Sequence, residues 1–205
     1  AEIDSPDAAG WSPLMHAVIL EKYQLVKSLL ERGANPNILI IEEQSFNIPE
    51  SSNLKSSSKS DSTDLVTVNV KFILNEAIQL DHYDIVQELL AHGADVTAVD
   101  SDMRNALHTA VFFNRKNIVK LLLQHENVVV EAPCIPCIVQ GTPRESPHLY
   151  STALHLAAYK SVDKEIIKAL LKVGANTYVK NAAGETPVTI SPEFQGSNRV
   201  EDVVL

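Results

Sequence analysis

Apolar residues in this chain recur three and four apart in short runs, broken by turns rich in Gly, Asn and Asp. That spacing predicts short amphipathic helices in pairs. One run is written three times with small changes. Ser12-Pro13-Leu14-Met15-His16-Ala17-Val18 returns as Asn105-Ala106-Leu107-His108-Thr109-Ala110-Val111 and as Thr152-Ala153-Leu154-His155-Leu156-Ala157-Ala158. A Ser or Thr before the run accepts from a free backbone N–H and so caps the first helix. Pro13 and Pro187 sit in the first turn, where a missing N–H costs nothing. Small residues follow at Ala17, Ala77, Ala110 and Ala157, so neighbouring helices approach closely. A second apolar stretch comes next, as in Leu25-Val26 with Leu29-Leu30 and Ile85-Val86 with Leu89-Leu90. Three of the four second stretches end on Gly-Ala, at Gly33-Ala34, Gly93-Ala94 and Gly174-Ala175. Glycine there suits a left-handed helix cap that turns the chain back.

The period can be counted on the first buried leucine of each copy. Leu74 lies 33 residues before Leu107, and Leu154 lies 34 before Val188. Leu14 to Leu74 exceeds one period by 27 residues, and Leu107 to Leu154 exceeds it by 14. Helix–turn–helix units of about 33 residues that open on a T-P-L-H-x-A pattern mark the ankyrin repeat. The chain therefore resembles the ankyrin-repeat family over most of its 205 residues. The resemblance implies an all-α solenoid of stacked units, because one helix pair cannot bury its own apolar face. Four full units are expected at about 7–37, 67–98, 100–127 and 147–180, with a partial fifth at 181–190 and a tail at 191–205. The copies are degenerate but in phase. The second, Phe72-Ile73-Leu74-Asn75-Glu76-Ala77, lacks the opening Thr-Pro and the His; the first has Met15 in place of that His; the third has Glu126-Asn127 in place of Gly-Ala.

Two insertions interrupt the period, at about 38–66 and 128–147. The first begins apolar at Ile38 to Ile41, turns acidic at Glu42-Glu43, and becomes Ser-rich from Ser51 to Asp64. The Ser-rich part lacks the apolar area to offset chain entropy and is expected to be a mobile loop. Leu65 to Val70 alternates and is β-branched, so it is expected to pair with Ile38–Ile41 in a long finger between the first two units. By the same logic Val128-Val129-Val130 is expected to pair with Ile138-Val139. Insertions in such solenoids fall on one side, often the binding side.

Composition narrows the function. The chain is 45% hydrophobic and 5% aromatic, as suits an aliphatic solenoid. A net charge of −9 argues against a nucleic-acid surface. No apolar run approaches the ~20 residues that span a bilayer. The chain starts at Ala1 rather than Met, which is read as a fragment boundary with no signal peptide. Two cysteines fit a reducing, intracellular compartment, cytoplasmic or nuclear.

Catalytic chemistry is not visible. Cys134 and Cys137 form a C-x-x-C, but zinc takes four ligands, and neither His125 nor His148 stands at finger spacing. The redox version needs a βαβ context. The simpler reading is two loop cysteines, free or bridged. A catalytic His needs an acid or a nucleophile held against it. The resemblance instead implies that His108 and His155 bond the adjoining unit. No cofactor, metal or catalytic residue is expected.

The resemblance further implies a concave face lined by the first helices and the hairpin tips. On this chain its residues are Ile19-Leu20, Gln79-Leu80, Phe112-Phe113 and Tyr159-Lys160, just beyond each small pair, with Trp11, Lys71, Arg104 and Ser151 at the helix entries. Asp102 and Leu149 belong to the preceding tips. The set holds the only Trp, and aromatic side chains on an open concave surface make binding anchors. Trp11 fits a second role, as a lid on the first unit's core. Phe112 and Phe113 likewise fit beneath the second insertion. Phe113 and Tyr159 are expected to be contacts that the buried register does not need. The function expected is a protein-binding scaffold without catalysis, gripping a folded protein or an extended peptide with basic residues at its rim. The alternatives are a regulatory segment of a larger enzyme or channel, and a metal or redox sensor at Cys134 and Cys137.

Overall fold

The computed structural model describes residues 2–45, 66–134 and 150–191. The helices come in pairs: α1 (Pro13–Ile19) and α2 (Tyr23–Glu31), α3 (Ile73–Gln79) and α4 (Tyr83–Ala91), α5 (Ala106–Phe112) and α6 (Lys116–Leu122), α7 (Ala153–Lys160) and α8 (Lys164–Lys172). A short α9 (Pro187–Ile190) opens the fifth unit. The first helices pack in one row, α1 to α3 to α5 to α7 to α9, and the second helices in another, α2 to α4 to α6 to α8. Leu14, Leu74, Leu107 and Leu154 are each at most 2% exposed, at equivalent places between the rows.

The repeated opening phrase has a common physical reason. Ser12 Oγ accepts from Met15 N–H at 3.2 Å, and Asn105 Oδ1 accepts from His108 N–H at 3.1 Å, each closing the first turn. The residue three past the cap answers by accepting from the cap's own N–H. His108 Nδ1 takes the Asn105 N–H at 3.4 Å, and His155 Nδ1 takes the Thr152 N–H at 3.1 Å. With Nδ1 accepting, Nε2 carries the proton. It donates beyond its own unit: His108 to Ala132 C=O, in the second insertion, at 2.9 Å, and His155 to Glu185 C=O, in the fifth unit, at 3.2 Å. His155 therefore bonds the adjoining unit, as the resemblance implied, whereas His108 bonds the start of the second insertion that precedes the fourth unit.

Turns repeat with the same period. Glu21, Asp81, Asn114 and Ser161, one in each bend between paired helices, all have positive φ. The caps Gly33, Gly93 and Gly174 lie at φ +88°, +85° and +91°, where a side chain would be strained although the space around each is open. The third unit, with Glu126-Asn127 in place of Gly-Ala, ends its second helix early. Helix α6 has seven residues against nine in α2, α4 and α8.

A finger does join the first two units. Strands β1 (Leu39–Ser45) and β2 (Val66–Phe72) pair antiparallel, with Ile40 opposite Lys71 and Ile41 opposite Val70. The pairing runs further than the apolar residues alone predict. It continues through Glu42 and Glu43 on one strand and on to Phe72 on the other, because Phe72 leads directly into α3. Phe72 has no side-chain cap to offer, and Ile73 N–H is instead satisfied by Ile38 C=O at 3.1 Å. The Ser51–Asp64 loop lies outside the described residues.

The second insertion differs from expectation. Val128-Val129-Val130 is turn and irregular chain, not strand, and Ile138-Val139 lies outside the described residues. The backbone instead closes through Cys134 and Ser151, which exchange N–H···O=C bonds at 2.8 and 3.0 Å. Clustered β-branched residues do not make a strand without a partner to pair with; the single bridge here joins Cys134 to Ser151.

Leu107→Ala and Leu154→Ala should each lower stability by about 2–5 kcal/mol, the range for buried leucines that leave a cavity. Denaturant melts measure this, and a loss under about 0.5 kcal/mol in both would remove them from the core.

Stability should also depend on pH through His108. Burial depresses its pKa to about 4, against a backbone bond that pulls upward. The native state keeps the ring neutral, while the unfolded chain takes up a proton below the ordinary value of about 6.5. Stability present at neutral pH should therefore fall as pH drops from about 6.5 to about 4, by on the order of 3 kcal/mol from this ring. His155 is lowered for the same first reason, burial, and adds in the same direction. Melts across that range should show His108→Gln losing less stability than the parent chain; equal slopes would mean the ring is not held neutral.

Candidate functional site

Helices α5 and α7 bring together five of the residues named for the concave face. Phe112, the last residue of α5, is half-buried and touches Phe113 edge-on, with ring centroids 5.1 Å apart. The Arg104 guanidinium lies 4.9 Å from the Phe112 ring centre, and the Lys160 ammonium, from the end of α7, lies 4.2 Å from it. An aromatic ring attracts cations through its negative face. Arg104 is held from behind by two carboxylates, bonding Asp102 and Asp100, the latter through Nε at 3.2 Å. Lys160 has no ion pair among the described residues.

Asp100 builds the tip that carries Arg104, and the sequence reading missed it. Its Oδ1 accepts from Asp102 N–H at 2.9 Å and Arg104 N–H at 2.8 Å, while its backbone N–H donates to Arg104 C=O at 3.0 Å. Burial holds its carboxyl above the usual range against the pull of Arg104. Asp7 does the same for Ala9 and Trp11, and Asn181 for Ala183 and Glu185. The signal was an Asp or Asn five residues before the helix cap, repeated at 7, 100 and 181. An Asx side chain bonding N–H groups ahead of it makes such a turn without a regular ladder.

The other named residues are spread along the same row. Leu20 and Leu80 follow α1 and α3 and are 61% and 37% exposed. Trp11 is half-buried, packs against the core, and lies 5.4 Å from the His16 ring, so it has the lid's contacts while keeping an open edge. Tyr159 is tied into the fold more than expected. Its hydroxyl donates to Glu185 and accepts from Asn181 Nδ2 at 2.9 Å, which links α7 to the fifth unit. The tyrosine pKa is raised by burial and by that carboxylate. Ser151, counted with the helix entries, is fully buried because the Cys134 bridge covers it. Leu149 lies outside the described residues, as do Cys137 and His148. Cys134 is buried, and no group of three or more His, Cys, Asp or Glu among the described residues is placed to hold a metal ion. Among the described residues no helix is long and apolar enough to cross a membrane.

Stacked helix pairs with Asx-built tips define a repeat solenoid. Family models for ankyrin repeats match residues 52–134, as a set of three copies, and residues 9–40 and 150–182 as single repeats. The chain belongs to the ankyrin-repeat family. It is 35% identical over 108 residues to human CAP-Gly domain-containing linker protein 3, which is 52% of this chain and 18% of that protein. It is 28% identical over 218 residues to the mouse B-cell lymphoma 3 protein homolog, covering 99% of this chain and 44% of that protein. It is also 28% identical over 118 residues to tyrosine-protein kinase HTK16 of Hydra vulgaris, covering 58% and 14%. The chain thus spans less than half the length of each of these relatives. Ankyrin repeats are generally protein–protein interaction modules and typically non-catalytic.

Two tips hold bulky residues in a conformation that other tips give to glycine. Two positions before the cap, units one and five have Gly10 and Gly184, at φ +82° and +76°. Units three and four have Met103 and Tyr150 there, at φ +58° and +64°. Both are exposed, 46% and 66%. A left-handed residue other than Gly or Asn costs roughly 1–2 kcal/mol, partly offset by the greater unfolded-state freedom of glycine. Met103→Gly should therefore leave stability unchanged or raise it by up to about 1 kcal/mol. Thermal and denaturant melts check this, and a clear loss of stability would mean that the Met103 side chain supports the tip.

Proposed function

We propose that this chain binds a partner protein through the inner face that runs from Trp11 to Lys160 and through the hairpin tips beside it. The observation that carries the reading is the Phe112 ring, flanked by cations from two neighbouring units with Phe113 edge-on beside it. Rigid aromatic side chains with a guanidinium alongside are the residue types that dominate binding energy at interfaces. Met103 and Tyr150 support it, because apolar side chains kept at strained, exposed tips have no role in the core. The Lys160 ammonium suits a carboxylate of the partner, while the net charge of −9 favours basic residues at the partner's rim. The chain needs no chemistry of its own for this task.

A second reading makes the chain a regulatory segment within a longer polypeptide. The observation favouring it is the match to a tyrosine-protein kinase, of which the chain covers 14%. The two readings are compatible, since a regulatory segment also acts by contact.

Affinity capture with the intact chain, followed by measured binding of the protein recovered, tests the proposal. Phe112→Ala and Phe113→Ala should each weaken that binding by about 2 kcal/mol or more, as central aromatic anchors do. Circular dichroism melts should show both variants folded. Gln87→Ala, on the exposed side of α4, should change little. Wild-type affinity in both aromatic variants would overturn the inner-face assignment.

A further inference from the structure

We propose that the outer edge of β1 is a strand-addition site for an extended, basic segment of a partner protein. Opposed residues of an antiparallel pair alternate between pairs that bond each other and pairs whose N–H and C=O groups point away. Val70 is of the second kind. Its N–H donates to Ser101 Oγ at 2.7 Å and its C=O accepts from Ser101 N–H at 3.0 Å. Ile41 stands opposite Val70, so its own N–H and C=O point outward from the other side of the hairpin. Alternation gives Leu39 and Glu43 the same orientation. One step before Leu39, Ile38 C=O points inward and accepts from Ile73 N–H, as the alternation requires.

The two edges of the hairpin therefore differ. Ser101 occupies the edge of β2 at Val70. Among the described residues, nothing bonds the outward N–H and C=O of Leu39 or Ile41. The side chains beside that edge are apolar and open: Leu39 is 45% exposed and Ile41 is 60% exposed, while Ile40 between them is 4% exposed. Unpaired backbone groups in a row flanked by exposed apolar side chains are a template for another strand. Peptide recognition by strand addition uses this arrangement, with backbone bonds giving affinity and alternate side chains giving specificity.

Charge selects the occupant. The strand carries Glu42 and Glu43 and no basic residue, in a chain of net charge −9. A second copy is disfavoured, because full-length antiparallel self-pairing centres on Glu42 and sets it opposite its own copy. Like charges directly opposed destabilise a pair. An extended segment that alternates apolar and basic residues meets both the open apolar side chains and the acidic strand.

The test uses the full chain and a fluorescein-labelled peptide of alternating valine and lysine, about eight residues long, within the usual strand range. Saturable binding is expected in fluorescence polarisation, with slowed amide exchange at Leu39 and Ile41. Ile41→Pro removes an outward N–H and leaves the inward bonds of Ile40 and Lys71 in place, so binding should weaken at least about tenfold, on the scale of one lost buried hydrogen bond. Ile41→Thr keeps the N–H and should retain binding. Protection of the Ile40 and Lys71 amides reports whether the hairpin survives the proline. Where it does not, Glu42→Lys with Glu43→Lys decides: it should weaken the valine–lysine peptide and favour a valine–glutamate one. Phe113→Ala should leave the peptide's affinity unchanged. No saturable binding, full binding by Ile41→Pro with its hairpin intact, an unchanged peptide preference in the charge-swapped chain, or protection gained on the inner face instead would each overturn the proposal.

Discussion

A helix pair of this size has one apolar face and nothing of its own to cover it. Everything else follows from that constraint. Leu14, Leu74, Leu107 and Leu154 lose contact with water because a neighbouring pair lies over them. Stability in such a stack is a sum over units and over the interfaces between them. His108 and His155 join two levels, since one ring nitrogen closes the turn of its own helix and the other reaches backbone beyond that unit, at Ala132 in the second insertion and Glu185 in the fifth unit. Polar groups buried that deeply must be bonded or they cost more than they contribute. Here the His155 bond also ties the fourth unit to the fifth.

Stacking determines where contact chemistry can collect. The first helices form one row, a strip of packed elements that follows the stack. Residues far apart in sequence meet on it. Arg104, Phe112 and Lys160 come from a tip and two helices, and they meet because α5 and α7 are neighbours. Carboxylates from the tip keep Arg104 in place, so the cluster is held by the fold itself. Elsewhere on the strip the fold claims side chains for itself. Tyr159 links α7 to the fifth unit, and Ser151 disappears beneath the Cys134 bridge.

Interruptions of the repeat change the surface. In the second unit β2 runs directly into α3, so that helix starts without a polar cap and is set by the hairpin register. In the third, losing the glycine shortens α6 by two residues relative to its equivalents. An open groove of about 570 Å³ lies beside that shortened helix, between Leu123 and Val173. Departures from a repeat are thus where this solenoid acquires features that its neighbours lack.

The sequence by itself determined the repeat, its phase, the helix pairs, the glycine caps and the finger between the first two units. These are local properties: a cap, a period and an αL position each show in a few adjacent residues. It also picked out Arg104, Phe112, Phe113 and Lys160 as one group, because a periodic structure repeats its geometry with its residues, and the fold brings these four side chains together. The Asx tips at 7, 100 and 181 were legible too, once the capping residue of each unit served as the origin. Only the tertiary structure decided which exposed positions were already committed. Nothing near Tyr159 in sequence announces Glu185 as its partner, and nothing near Ser151 announces Cys134. Strain at Met103 and Tyr150 was hidden for the same reason, since a backbone angle is not written in residue type unless the residue is glycine. Contacts between units depend on how far each helix is pushed by its neighbours, and that is a property of the packed stack.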